Sequence, residues 1–130
     1  MIQLALFGSS PLILATRVVN LRREPYDVYI GRPGLGLDGP FGNPIRRGQP
    51  CPVCADGTVH DRAGDTLDCY ASWLYTRLGR DVGFRDAVEG LRGLRLGCFC
   101  RPPSGFGGRL LCHGQILVGW LHSVDPALVP

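Results

Sequence analysis

Apolar residues return at helical spacing three times along this chain. Leu67, Tyr70, Ala71, Leu74 and Leu78 share one face, which predicts a helix capped by Asp65 or Thr66 and stopped at Gly79. Phe84, Ala87, Val88 and Leu91 predict a second helix from Asp81 or Val82 to Leu91, weakened by Gly83 and Gly90 and closed near Gly93. Ile116, Leu117, Trp120 and Leu121 predict a third from Cys112 to His122. Between the last two, Leu94 to Cys100 alternates with period two. A strand there would send Leu94, Leu96, Cys98 and Cys100 to one face. Val18 and Val19 within Ala15–Leu21, the β-forming run Asp27–Ile30 and the apolar run Ile2–Phe7 predict earlier strands. Strands and helices of this number in 130 residues predict one α/β domain spanning 1–130.

Glycine and proline mark the long loops. The 19 glycines and 11 prolines concentrate between Gly31 and Gly48 and between Pro102 and Gly108. The first loop, GRPGLGLDGPFGNP, follows the Asp27–Ile30 strand but lacks the spacing of the known phosphate-cradling loops. Its glycines let backbone approach a ligand, and Gly31, Arg32, Asp38 and Asn43 offer N–H groups, a cation, a carboxylate and an amide. A turn-rich connector, with Asn43-Pro44 starting a turn, has equal weight.

Charge narrows the partner only slightly. All 14 basic residues are arginine, set against 11 acidic ones, for a net charge of +3. Arginine suits bidentate contact with phosphate or carboxylate, but +3 by itself does not mark a nucleic-acid binder. The opening MIQLALFGSSPLILA has no positive n-region, its apolar run is broken by Gly8–Pro11, and no run reaches membrane-span length. The expectation is a cytoplasmic protein with no membrane partner. In a reducing compartment, the 6 cysteines read as metal ligands or catalytic thiols ahead of disulfides.

Two cysteine groups carry the candidate chemistry. Cys51, Cys54, His60 and Cys69 form C-x2-C-x5-H-x8-C, a pattern suited to a structural zinc within a short insertion over residues 49–69. Asp56, Asp61 and Asp65 compete for the third and fourth positions, and Cys69 falls inside the first predicted helix. Cys98, Cys100, Cys112 and His113 gather where the last strand meets the last helix. One reading makes Cys112 a nucleophile activated at a helix start beside His113, with Asp27 or Asp38 as acid or base. The other makes the four a second closed zinc set.

The segments VVNLRREPYDVYIGRP, GPFGNP and LRGLRLGCFC followed by CHGQIL together resemble the family known as domain of unknown function 4326, over residues 18 to 121. Asp27, Gly31, Arg32, Asn43, Cys98, Cys100, Cys112 and His113 match its motifs. The resemblance implies a bacterial or phage protein with a Rossmann-like fold, working in a bacterial or infected host cell, and it transfers no reaction. Two departures stand out: the loop between Cys100 and Cys112 is longer than the family's short connection, and Gln115 stands where an aspartate is common. The CPVC segment resembles an insertion present in some members, which favours a separate structural zinc there. The resulting expectation is a site between the Gly31–Pro44 loop and the Cys98–His113 junction that binds or acts on a nucleotide, nucleobase or nucleic acid. The alternative is a non-enzymatic, zinc-stabilised binding or protein-interaction module.

Overall fold

Three short strands, β1 (Arg17–Asn20), β2 (Val28–Tyr29) and β3 (Arg95–Cys98), form a parallel sheet in the order β1-β3-β2. The structure is a computed structural model and describes residues 15–130 apart from positions 35, 38 and 63. The strand expected at Ile2–Phe7 and the carboxylate of Asp38 lie outside the described residues. Val18 and Val28 flank Leu96 in register, and Val19 and Tyr29 flank Gly97. Because all three strands run the same way, their carboxyl ends share one edge of the sheet, where open α/β folds place ligands.

Parallel pairing of β2 and β3 needs a long crossover. It carries the glycine-rich loop, the CPVC segment and two helices, α1 (Leu67–Arg80) and α2 (Val82–Glu89). Leu67, Tyr70, Leu74 and Leu78 are the buried stripe of α1, on the face the spacing predicts. The helix does not stop at Gly79. It runs to Arg80, and Asp81 makes the break: its N–H bonds to Arg77 O and its carboxylate accepts the Phe84 N–H at 3.0 Å, ending one helix and capping the next. Thr66 occupies the N-cap position of α1 without capping it, since its hydroxyl accepts from Asn43 Nδ2 at 2.9 Å.

The last helix, α3 (His113–His122), is buried along most of its length, and packs against α1, α2 and β1. It starts hard against the sheet. A Cβ at Gly114 would lie 2.8 Å from Ile30 Cδ1 and 2.9 Å from Val18 Cγ2, so any larger residue would have to displace those core side chains. Cys112 is its N-cap, its sulfur accepting from Gly114 N–H at 3.3 Å, while Gln115 Oε1 accepts the Cys112 N–H at 2.9 Å to complete a capping box. The expected strand over Leu94–Cys100 is shorter than its alternation. Only Arg95–Cys98 pairs, Gly97 is buried along with Leu96 and Cys98, and Cys100 lies beyond the strand. A central parallel strand is covered on both faces, so period-two alternation does not describe it. Among the described residues no helix is long and apolar enough to cross a membrane.

Candidate functional site

The CPVC segment is held by a small antiparallel clasp. Pro50 bridges Val59, the Cys51 N–H bonds to Thr58 O at 2.8 Å, and the Gly48 N–H bonds to His60 O at 2.9 Å. The clasp carries Cys51, Cys54 and His60, and the first turn of α1 brings up Cys69; their ligand atoms all lie within 4.8 Å of one another. A tetrahedral ion with metal–sulfur bonds of about 2.3 Å and metal–nitrogen bonds of about 2.0 Å sets S···S edges of about 3.8 Å and S···N edges of about 3.5 Å. Cys54 Sγ stands 3.6 Å from Cys69 Sγ, and His60 Nε2 is 3.5 Å from Cys69 Sγ and 3.9 Å from Cys54 Sγ. Two of the three competing carboxylates are committed elsewhere: Asp56 accepts from the Thr58 N–H and Asp65 from the Arg62 N–H. Burial works against a Cys51 thiolate, yet the N–H groups of Cys54 and Val53, with His60 and Cys69, outweigh it and bring the thiol down to about 6. Cys69 is pushed up to about 12 by burial and by the neighbouring Cys54 and Cys51. Such a set, short of room for its protons, can hold a metal ion in their place.

The second cluster forms where β3 hands the chain to α3. Cys98 and Cys100 flank the end of the strand, Cys112 and His113 open the helix, and their ligand atoms also lie within 4.8 Å of one another. Cys98 Sγ is 3.0 Å from Cys112 Sγ, and Cys98 Sγ accepts the Cys100 N–H at 3.2 Å. His113 Nε2 sits 2.6 Å from the Ile30 carbonyl oxygen. A carbonyl only accepts, so Nε2 carries a hydrogen. Hydrogen bonds from Cys112, Cys98 and His113 hold the Cys100 thiol well below its ordinary range. Cys98 is raised to about 12, through Cys100 first, and Cys112 is raised further by Cys100, Cys98 and burial.

Cys112 was expected as a nucleophile, and its surroundings do not favour that role. It is 1% exposed, its thiol is pushed up, and its sulfur caps a helix, none of which suits an accessible nucleophile. Cys100, the exposed member of the cluster, is the thiol whose neighbours favour the charged form. Asp27, one of the two residues expected as acid or base, is engaged elsewhere. It precedes β2 at the amino end of the sheet, where its carboxylate grips Arg95 at 2.9 and 3.1 Å and accepts the Arg95 N–H at 2.7 Å. That pairing holds its carboxyl down at about 2.

A cleft of about 770 Å³ opens at the carboxyl ends of β2 and β3. It joins the two regions singled out in the sequence: Gly31, Arg32 and Asn43 line it from one side, and Cys98, Cys100 and His113 from the other. Arg32 and Asn43, however, mostly hold the loop. Arg32 donates through Nε to Asn43 O at 2.8 Å and through Nη2 to Ile45 O at 2.7 Å, while Asn43 Oδ1 accepts the Ile45 N–H at 2.9 Å. Gly31 is glycine because a Cβ would collide with the Tyr29 ring, whose hydroxyl donates to Arg32 O at 2.6 Å. The open polar groups of the cleft are ones that sequence reasoning missed: Arg46, Arg47 and Gln49, with Tyr29 and Phe99 as aromatic walls. The signal available was the Arg46-Arg47 pair directly after the glycine-rich loop and Phe99 between two cysteines.

Fold and site together define a small α/β protein with a three-stranded parallel sheet and two Cys3His clusters that could each hold a metal ion. The family model described as Domain of unknown function (DUF4326) matches residues 15–123, and the chain belongs to that family. No curated protein and no solved structure matches the chain.

Proposed function

We infer that the cleft binds the phosphate and base of a nucleotide or nucleic-acid strand. The observation that carries this reading is the character of its lining. Arg32, Arg46 and Arg47 converge there, no carboxylate stands among the described lining residues, and neither Arg46 nor Arg47 is ion-paired among the described residues. Burial, and then the like charge of Arg46, lowers the Arg32 pKa, as expected where cations gather without a counter-charge. At the rim, Phe99 is 42% exposed, meets Tyr29 edge-on at 6.3 Å and carries the Arg22 guanidinium 4.8 Å above its ring. An aromatic face beside cations is how single strands and free bases are held without sequence readout. The first cluster supports this as a scaffold: Cys51, Cys54, His60 and Cys69 suit a structural zinc that closes the crossover beside the cleft.

Fluorescence anisotropy with a labelled single-stranded oligonucleotide, competed by mononucleotides, tests the reading. Binding should weaken with salt, and the paired substitution Arg46→Ala, Arg47→Ala should flatten the log–log salt slope by about one unit or more. No binding at low salt, or an unchanged slope in the variant, would leave the second reading, a metal-stabilised interaction module. That reading is favoured by the donor sets, since four nitrogen or sulfur ligands leave no open coordination position.

A further inference from the structure

We propose that Cys98, Cys100, Cys112 and His113 hold a second thiophilic divalent metal ion, zinc by donor chemistry, separate from the one at the CPVC segment. The four donors come from two elements with a glycine- and proline-rich connection between them. Residues 101–112 form no helix or strand, and Cys100 to Cys112 is where the chain crosses from sheet to core helix. An ion seated among them ties the end of β3 to the start of α3 directly.

The surroundings are those of a ligand set more than of three packed thiols. The Nε2–H of His113 is fixed by Ile30 O at 2.6 Å, the orienting contact that ligand histidines make in metal sites, which leaves Nδ1 as the nitrogen for an ion. The Tyr70 ring meets the imidazole edge-on at 5.3 Å and holds its plane. Two backbone N–H groups point at sulfurs, Cys100 N at Cys98 Sγ and Gly114 N at Cys112 Sγ. Such contacts stabilise thiolates in preference to thiols. Cys98 and Cys112 are buried, with their sulfurs 3.0 Å apart; a tetrahedral ion spreads that pair to about 3.8 Å. Metal binding releases the thiol protons and leaves four ligands of the same kinds, three sulfurs and one nitrogen, as in the first cluster. Because Phe99 lies between Cys98 and Cys100, the same ion fixes the aromatic residue at the cleft rim.

The test is independent of any activity. Protein purified under reducing conditions without chelator is analysed for metal and titrated with cobalt(II), whose tetrahedral thiolate complexes absorb strongly. Wild type is expected to carry two zinc ions per chain. Cys54→Ser should carry one, and Cys112→Ser should carry one with about half the cobalt–thiolate absorption. Should Cys112→Ser fail to fold, Cys100→Ser replaces it, because Cys100 is exposed and outside the core. One ion in wild type with the same single ion retained in Cys100→Ser overturns the proposal, as does a Cys98–Cys112 disulfide in the reduced preparation. Oligonucleotide binding by a one-metal wild-type protein would separate failure of this site from failure of the cleft reading.

Discussion

Arg32 and Asp27 both match family motifs, and both are committed to holding the chain. Arg32 sends two charge-assisted hydrogen bonds to the carbonyls of Asn43 and Ile45, so the loop after β2 is folded back on itself by one guanidinium. Lysine cannot reproduce that fork. Arg32→Lys should destabilise the protein by about 2 kcal/mol, read as a lower urea midpoint at unchanged m-value. A wild-type midpoint would show that the fork is dispensable. Asp27 makes a pH-dependent contribution through Arg95. Its folded-state pKa, about 2, lies below the ordinary 3.8, so the pair stabilises fully above about pH 4 and the contribution fades as pH falls through about 2. The melting-temperature gap between wild type and Asp27→Asn should therefore be open at pH 6 and close on titration toward pH 2. Oligonucleotide affinity at pH 7 should be the same in both, since Asp27 sits at the far end of the sheet from the cleft; a large loss in the variant would return Asp27 to the site.

The helices were legible because their residues obey one period each. Leu67, Tyr70, Leu74 and Leu78 mark α1, and Phe84, Val88 and Leu91 mark α2 and the turn that follows it, all buried, although Ala87 on the predicted face of α2 is exposed. Helix α3 was legible in extent but not in character, because a helix buried nearly all round shows no polar face to orient it. The first cysteine cluster could be read from spacing, since a CxxC turn and a nearby histidine are local. Cys69 joined that set through its spacing, whereas the meeting of the Gly31–Asn43 loop with Cys98–His113 was expected only from the rule that open α/β sheets gather ligands at their strand ends, since local sequence does not encode the sheet order. Gln115 shows the same limit. The family resemblance implied an aspartate at that position; in the fold Gln115 is fully buried, Oε1 accepting the Leu111 and Cys112 N–H groups and Nε2 donating to Arg109 O and Pro126 O. Gln115→Glu at pH 7 would aim a carboxylate at two carbonyls inside the core. We expect a loss of about 3 kcal/mol or more by chemical denaturation, with weakened α3 protection in hydrogen exchange. A near-neutral result would mean that water reaches the cap.

At the scale of the molecule, a small net charge conceals a sorted one. Four carboxylates are paired with arginines that do not line the cleft, Glu24 with Arg17, Asp27 with Arg95, Asp81 with Arg77 and Glu89 with Arg92. The cations at the cleft are left without such partners among the described residues, which a chain-wide charge of +3 could not show. A metal ion at either cluster would enter stability at this scale too. The core takes in Cys51, Cys98 and Cys112 but is built mainly of aliphatic and aromatic residues such as Val18, Ile30, Leu74, Leu96 and Leu117, so the metal-free chain should keep its helices. It should nevertheless melt lower, because any ion bound to the folded state alone adds stability that grows with its free concentration, by about 1.4 kcal/mol per tenfold rise for each site. Unfolding free energy measured across buffered free zinc should then rise with twice the one-site slope if both clusters bind, and Cys54→Ser should halve it. A flat dependence would mean that neither cluster ties metal to the fold, and the close approach of the thiols would need another cause.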